Sequence, residues 1–550
     1  MVHFHKKKIK GHEYYYLRET KRIEGKSKVI WQKYLGTIKK IKEKFEEDEK
    51  LPSVRISSFE YGKTTALLKI SKELEFIESV NQNIPKKNIG GLSVGEYMLL
   101  IILGRTNGPL SKHATAKWFD ESFLEYLWKF PHQLNSQNIL NNMDFITEQS
   151  MRQIEEALAS KMIQKGIKPT TIFWDTTNVF TYIESGEELP QKGKSKQKRN
   201  DKNLINFGIA ESSENIPLMH ETSAGSAQDA KLFPEIVDKL VERLRKLKIN
   251  THDMILVFDK GNNSDDNINK VIENMHVVGS VKRNQVKALM EIPLSEYTFL
   301  YKNSSGHNIS GIRSKQELFG QEFTIVVTYN PESQKKKEKK YEENKKRILE
   351  ELGELKKKTE KIHGKGKRIT KKGLCTNANK IIPQDLTTVF KYKIPDEEKL
   401  FFEYWIDDDS EKNLINSFGK IAIFTDLHNS SSIEIAQTYF RKNLVEDDFK
   451  FLKDKLLIPV PPFYLRKDNR IRVHVFLCVM GMLFYRYLVR KVKNFGLSMK
   501  ELTHQLEGIR VAFVKTKDSD NVNLVVEEMN PIQAKLFSVL GLSDFLVQHN

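Results

Sequence analysis

Five short apolar runs follow one another after Pro169, and their order limits the possible fold more than any other feature of the chain. The runs are TTIFW, LINFGIA, IPLMHET, MILVF and HVVGSV. The segment SSEN predicts a hairpin turn between the second and third runs. A helix-like stretch, AKLFPEIVDKLVERLRKL, separates the third run from the fourth. Three strands in hairpin succession, followed by a helix and another strand, predict a mixed α/β core.

This order is typical of a ribonuclease-H-like core, and the segments around it predict six regions. A basic β-hairpin or small sheet is expected first, with a turn at Glu24-Gly25-Lys26, and a helical region follows it. The core is then expected in two segments, interrupted by an insertion that contains strands and a charged helix. The C-terminal end is expected to form a hairpin and a helix. The regions are 1–50 (small sheet), 51–168 (helical), 169–281 (first core segment), 282–420 (insertion), 421–500 (second core segment, with a long helix from about Ser432 to Lys455) and 501–550 (hairpin and helix).

The net charge indicates a polyanionic partner. Lys and Arg number 90 against 72 Asp and Glu, which gives a net charge of +18 and favours nucleic acid as the partner.

Only two cysteines occur, which excludes a disulfide scaffold and a cysteine-based zinc site. The most apolar segment, VFLCVMGMLFY, is about half of the roughly 20 residues that a membrane span needs. We therefore expect a soluble, cytoplasmic and nucleoid-associated protein that has no membrane partner.

Two segments concentrate the positive charge. Lys, Arg and Tyr alternate in the N-terminal strands, as on many nucleic-acid-binding surfaces, although a solvated edge hairpin would look the same. The segment from Lys335 to Lys372 holds 17 Lys and Arg against 7 Asp and Glu. Its central portion carries Ile348, Leu352 and Leu355 at helical spacing. It is either a solvated charged helix or a basic arm along a phosphate backbone.

Two of the predicted strands close with an aromatic residue and then a carboxylate. TTIFWD stops at Asp175 and MILVFD stops at Asp259. Ligands bind at the carboxyl edge of open sheets, and two carboxylates there could share a divalent cation such as Mg²⁺. Aspartate is also a common turn former after strands, so a structural role is the alternative.

A third carboxylate lies in the helical stretch TYFRKNLVEDDFKFLK. Tyr439, Lys442, Glu446, Phe449 and Lys453 are spaced 3, 4, 3 and 4 residues apart, which places them on one face of a continuous helix. Such a face suits DNA phosphates, with Glu446 available to a metal ion. An exposed helix with internal salt bridges is the alternative.

These residues carry a resemblance to a known family. The chain resembles the DDE transposases of prokaryotic insertion sequences, in the Tn-five-like branch whose motif is Y-x2-R-x3-E-x6-K. Tyr439, Lys442, Glu446 and Lys453 match that motif, with Lys442 and the adjacent Arg441 in place of its single arginine. WDTTNVF and VFDKGNNS resemble the blocks around the family's first and second aspartates. LSVGEYMLLIILGR and GPLSKHA resemble its helical N-terminal region, so the resemblance covers nearly the whole chain.

The resemblance implies a function and a set of roles. Asp175, Asp259 and Glu446 would be the catalytic metal ligands, holding two Mg²⁺ ions for which Mn²⁺ could substitute. Tyr439, Arg441, Lys442 and Lys453 would bind DNA phosphates, and region 51–168 would bind DNA. The partners would be double-stranded DNA, as terminal inverted repeats and target, and a second copy of the chain in a synaptic homodimer. Asp259 and Glu446 are 187 positions apart, and an inserted strand-rich domain would lie between the last core strand before it and the helix that carries Glu446.

Two other functions remain open at this point. The chain could be a ribonuclease-H-like nuclease that cuts DNA without integrating it. It could also be a DNA-binding protein whose catalytic core is retired. The presence of all three acids disfavours the second of these.

Overall fold

The computed structural model describes residues 2–9, 12–23, 26–47, 54–84, 91–128, 134–184, 188–360, 370–394, 401–516 and 522–546. The chain divides into two compact units. Unit 1 comprises Met1–Leu232, Asp238–Asn250 and Asn443–Asn550, and unit 2 comprises Phe233–Val237 and Thr251–Lys442. The expected divisions at residues 281 and 420 are therefore not boundaries between these units.

Unit 1 begins with an antiparallel three-stranded sheet in the order β1-β2-β3, followed by a helix and a fourth strand. The predicted turn residues Glu24 and Gly25 lie outside the described residues. A helical expectation for the start of region 51–168 was wrong, because β4 is a strand. The elements are β1 (Val2–Ile9), β2 (His12–Ile23), β3 (Lys26–Gly36), α1 (Ile38–Glu47) and β4 (Val54–Glu60).

Between β4 and the next strand, seven helices lie among the described residues, as the sequence predicts for the remainder of that region. The predicted capping box is confirmed at the start of α4, where the Glu96 backbone N–H donates to Ser93 Oγ at 3.3 Å. In return, the Ser93 backbone N–H donates to Glu96 Oε2 at 2.6 Å. The helices are α2 (Gly62–Glu73), α3 (Phe76–Gln82), α4 (Val94–Arg105), α5 (Lys112–Asp120), α6 (Phe123–Trp128), α7 (Ser136–Met143) and α8 (Glu148–Gln164).

Three antiparallel strands then form hairpins in the predicted succession: β5 (Thr171–Thr181), β6 (Asn203–Ser212) and β7 (Pro217–Ala224), followed by α9 (Asp229–Lys246). The prediction that the first strand stops at Asp175 was wrong, because β5 continues to Thr181. The residues after Asp175 include Thr176, Thr177 and Val179, and β-branched side chains favour an extended strand. Asp175 therefore lies in the middle of a strand.

Six of the described strands of unit 2 lie side by side in the order β10-β11-β12-β15-β9-β8, and two others, β13 and β14, pair only with each other. The pair β8–β9 is parallel and the other pairs are antiparallel, so the fold is α/β with a mixed sheet. The elements before the long helix are β8 (Ile255–Val257), α10 (Asp265–Ile272), β9 (His276–Ser280), α11 (Lys287–Glu291), β10 (Thr298–Lys302), β11 (Asn308–Leu318) and β12 (Gln321–Tyr329). Three strands of the expected insertion therefore share a sheet with β9.

A long helix, α12 (Pro331–Glu360), carries much of the predicted basic segment. Its residues Ile348, Leu352 and Leu355 are buried in a small core with residues of the elements that follow, so one face of this charged helix is packed. Residues 361–369 of the basic segment lie outside the described residues of the chain. The remaining elements of unit 2 are α13 (Lys371–Ile381), β13 (Phe390–Lys393), β14 (Glu403–Ile406), α14 (Asp408–Asn416), β15 (Lys420–Thr425) and α15 (Ser432–Phe440).

The chain returns to unit 1 at α16 (Asn443–Phe451), followed by α17 (Asp468–Lys491) and α18 (Met499–Glu507). The predicted single helix from Ser432 to Lys455 was wrong. The Lys442 backbone N–H donates to the Tyr439 carbonyl in a tight turn, and the helix ends there. α17 is long and apolar enough to cross a membrane, but 89% of its most apolar window is buried, as in the core helix of a soluble protein.

A second small sheet closes unit 1, in the order β17-β16-β4. Its C-terminal strands are β16 (Arg510–Thr516) and β17 (Val522–Val526), and the helix α19 (Pro531–Val539) follows them. β16 pairs with β4 from Arg510 opposite Glu60 to Thr516 opposite Val54. The strand nature of β4 therefore depends on a partner that lies about 450 residues away in sequence.

Candidate active site

Asp175 lies on β5, opposite Ile209 of β6, and its side chain is half-buried. The preceding Trp174 is buried, and its ring packs against Gly208. A Cβ atom at Gly208 would lie 2.5 Å from two ring carbons of Trp174, so only glycine allows this approach. The strand backbone next to Asp175 is therefore fixed by close packing.

Glu446 lies in the first turn of α16, and α16 packs against β5 within unit 1. The helix buries Val445, Asp448 and Phe449, while Glu446 is exposed. The Phe449 ring meets the Phe207 ring edge-on with centroids 5.7 Å apart, which ties α16 to β6. The predicted continuous face is thus corrected: Phe449 is a core residue, and Glu446 points away from that core.

Lys453 follows α16 and points toward β5. Its Nζ donates to Thr177 Oγ1 at 2.7 Å. Burial lowers the pKa of Lys453 to about 8, the positive charge of Lys196 acts in the same direction, and Asp175 opposes both. The Lys196 ammonium also donates to the Thr176 carbonyl. Two cationic side chains therefore accompany Asp175 in unit 1.

Asp259 lies in unit 2, just after β8, as predicted. The Lys442 Nζ donates to Asp259 Oδ1 at 3.1 Å, and the Lys442 side chain is only 9% exposed while that of Asp259 is 52% exposed. Partial burial acts to raise the pKa of Asp259, but the charge and hydrogen bond of Lys442 outweigh it and hold the pKa below its ordinary value. Lys442 therefore has a carboxylate partner in this unit.

The other two predicted phosphate-binding residues also belong to unit 2. Tyr439, near the end of α15, donates its hydroxyl to Ser280 Oγ at 2.9 Å, at the end of β9. Arg441 lies at the C-terminal cap of α15 and is exposed. The hydrogen bond fixes the position of the tyrosine ring, and the arginine is accessible to solvent.

The predicted residues thus fall into two groups. Unit 1 gathers Asp175, Glu446 and Lys453 on β5, α16 and the residues just after α16, whereas Asp259 and Lys442 are paired in unit 2. A meeting of all three acids at one ion stays a prediction. Among the described residues, no group of three or more His, Cys, Asp or Glu side chains is already arranged to hold a metal ion.

The prediction from sequence missed a buried charged cluster beneath α16. Asp448 and Glu211 are both fully buried, and Arg486 of α17 donates to Asp448. Burial raises the pKa of Glu211 well above its ordinary value, and the neighbouring Asp448 carboxylate raises it further. Burial also raises the pKa of Asp448, against the opposing effect of Arg486.

A shared proton explains how two carboxyl groups can be buried together at this site. Both Glu211 oxygens and Asp448 Oδ2 are buried acceptors without a donor when both groups are ionised. A protonated Glu211 supplies that donor, and the single positive charge of Arg486 then balances the single negative charge of Asp448. The sequence signal for this cluster was a lone arginine in the apolar stretch FLCVMGMLFYRYL, because a buried charge needs a partner.

No protein-family model matches this chain, and no curated protein matches it.

Proposed function

We propose that this chain is a DDE transposase that catalyses metal-dependent DNA strand cleavage and strand transfer at the ends of an insertion sequence. The observation that carries the proposal is the grouping of Asp175, Glu446 and Lys453 on β5 and at α16. Asp175 acts electrostatically on the Lys453 ammonium, and Glu446 lies on the helix that packs against β5. Carboxylates together with an ammonium group suit a site that handles both a cation and a phosphate.

The strand order supports a ribonuclease-H-like core for this enzyme. Three antiparallel strands, β5, β6 and β7, follow one another, and α9, β8, α10 and β9 come next along the chain. The last two strands are parallel and are joined through a helix, which is the usual connection for parallel strands. In this proposal β10 to β14 and α11 to α14 form the insertion before Glu446.

The donor set fits divalent magnesium, with manganese as a substitute. Asp175, Asp259 and Glu446 offer only carboxylate oxygens, which are the hard ligands that Mg²⁺ prefers. Asp259 already accepts a cation, since the Lys442 ammonium contacts it. Two such ions, when bound, supply activation of the attacking hydroxyl group and stabilisation of the leaving 3′ oxygen.

The remaining residues would hold the DNA. Lys453, Lys442, Arg441 and Tyr439 are proposed to contact phosphates near the carboxylates. In unit 2, partial burial and then the charges of Arg283 and Lys260 lower the pKa of Lys337, which indicates several cations close together. A phosphate backbone would relieve their mutual repulsion. The proposed partners are terminal inverted repeats and target DNA, bound by a homodimer in the cytoplasm.

The test is incubation of the full-length protein with the DNA that flanks its own gene, in the presence of Mg²⁺. We expect free 3′ ends and their joining to a second duplex. Asp175→Asn, Asp259→Asn and Glu446→Gln should each lower the cleavage rate by on the order of 10³-fold, because catalytic groups that act as a unit fail together. DNA binding should be nearly unchanged in all three variants.

Asp447→Asn is the matched control, because Asp447 is adjacent to Glu446 and is also exposed. Its carboxylate is paired with Lys450 at 2.7 Å. This variant should cleave at the rate of the natural protein. Cleavage without joining would support a nuclease instead, and binding without cleavage would support a retired enzyme. Full cleavage by any of the three site variants would remove that residue from the site.

A further inference from the structure

The N-terminal sheet ends in a two-stranded ribbon. β1 pairs with β2 only as far as Val2 opposite Glu19. Beyond that pair, Thr20–Ile23 of β2 pairs with Lys26–Val29 of β3 and with no other described strand. The ribbon is antiparallel, and its pairs are Thr20 with Val29, Lys21 with Lys28, Arg22 with Ser27 and Ile23 with Lys26.

Four of these eight ribbon residues are cationic and none is acidic: Lys21, Arg22, Lys26 and Lys28. All four are exposed, and none forms an ion pair with a described residue. Lys21 lies directly opposite Lys28, and like charges in that position destabilise a sheet. The repulsion between these lysines therefore destabilises the ribbon when nothing is bound to it. A polyanion placed against the ribbon would neutralise the charges and remove the repulsion.

The middle of the same sheet is fixed to the rest of unit 1, and the ribbon extends from this anchored part. The Glu528 carboxylate lies 3.7 Å from His3 Nε2 and 3.8 Å from Arg18 Nη1, and it also contacts His5. The Tyr16 and Tyr34 rings pack with centroids 5.1 Å apart on the side of Arg18 that is farther from the ribbon. The sheet is therefore held next to the ribbon, whose four cations are exposed.

We propose that the ribbon of Thr20–Ile23 and Lys26–Val29 enters a groove of duplex DNA, and that its four cations contact phosphates on both sides. The major groove accepts a two-stranded β-ribbon. A second copy of this chain is a poor partner, because edge pairing through β3 would place Lys26, Lys28 and Lys33 against the same lysines and no carboxylates. This inference rests on the proposed function, since it names a surface through which the enzyme holds its DNA.

The test compares the full-length protein with two ribbon variants. The probe is a labelled 30-bp duplex of arbitrary sequence, of about three helical turns, without divalent ions. One variant replaces all four cations by glutamine, and the other carries Lys21→Arg, Lys26→Arg and Lys28→Arg. The matched control replaces three lysines and one arginine that are exposed elsewhere in unit 1: Lys165→Gln, Lys493→Gln, Lys535→Gln and Arg466→Gln.

We expect the glutamine variant to lose at least about tenfold in affinity and to lower the slope of log affinity against log salt by about 3.6, or roughly 0.9 for each phosphate contact. The arginine variant and the control should keep both values. Unchanged binding by a folded glutamine variant, or an equal loss in the control, would overturn the ribbon assignment. So would tighter ribbon-dependent binding to phosphatidylserine vesicles than to the duplex.

These outcomes are separable from failure of the proposed function. If the natural protein binds the duplex and the glutamine variant binds it equally well, only the ribbon inference is lost. If the natural protein does not bind any duplex, including its own flanking DNA, the transposase proposal is lost as well.

Discussion

At the scale of single residues, two acids that are close in sequence differ in how far they are buried. Glu446 and Asp448 lie two positions apart on α16, yet Glu446 is exposed and Asp448 is fully buried against Arg486. The motif spacing singled out Glu446, and its role as a metal ligand stays a prediction. The spacing could not predict the buried acid, because Glu211, which contacts Asp448, comes from a strand more than 200 residues earlier.

The Glu211–Asp448 pair predicts a specific dependence of stability on pH. Because burial raises the pKa of Glu211 in the folded state, the folded protein binds a proton more tightly than the unfolded chain above the ordinary value of 4.5. Stability should therefore fall as pH rises from that value through the raised pKa. Glu211→Gln keeps a hydrogen-bond donor and cannot ionise, so it should lose this decline and be more stable than the natural protein at alkaline pH.

Urea unfolding at a series of pH values measures this effect. Glu242→Gln, at a side chain that is 67% exposed, is the control and should keep the decline of the natural protein. If the Glu211→Gln and natural proteins lose stability in parallel between acid and alkaline pH, the shared-proton account is wrong.

The lowered pKa of Lys453 predicts a pH dependence of the cleavage activity. Its pKa is lowered to about 8, first by burial and then by Lys196, so it loses its charge as pH rises through about 8. A phosphate contact by Lys453 should weaken over the same range, and kcat/KM for cleavage should fall because it reports ionisation of the free enzyme. Lys453→Arg keeps its charge at these pH values and should remove the decline. Parallel profiles for the two proteins would exclude Lys453 as the titrating group.

At the scale of elements, local patterns predicted structure where the partner is close in sequence. The β5–β6–β7 hairpins, the capping box of α4 and the buried core of α17 follow from nearby residues. The break between α15 and α16 and the pairing of β4 with β16 do not. Each of these depends on contacts with residues distant in sequence, which periodicity does not reveal.

The close packing against β5 predicts how one added methyl group at Gly208 would affect stability and activity. Gly208→Ala would place a Cβ 2.5 Å from the rigid, buried ring of Trp174, the residue before Asp175. Overpacking of this kind costs about 1–3 kcal/mol, so the free energy of unfolding should fall by that amount. The displaced strand should also lower the cleavage rate. An unchanged melting temperature together with full activity would show that β5 tolerates displacement at this position.

At the scale of the whole molecule, the candidate acids are divided between two units. Asp175 and Glu446 belong to unit 1, and Asp259 belongs to unit 2. The strand order and the positive charge were both readable from the sequence, and both agree with a DNA-processing enzyme. The convergence of the three carboxylates stays a prediction, because it depends on how distant segments meet rather than on any local pattern.

The central claim is that Asp175, Asp259 and Glu446 share one divalent-ion site, and iron-directed cleavage of the protein tests it most directly. Fe²⁺ with ascorbate replaces Mg²⁺ in the full-length protein bound to its own flanking duplex, and radicals formed at the ion cut the nearby backbone. The account predicts cuts close to residues 175, 259 and 446 together, all suppressed by excess Mg²⁺ and all lost in Asp175→Asn. Cuts near only one of the three positions, or cuts that Mg²⁺ does not suppress, would contradict it.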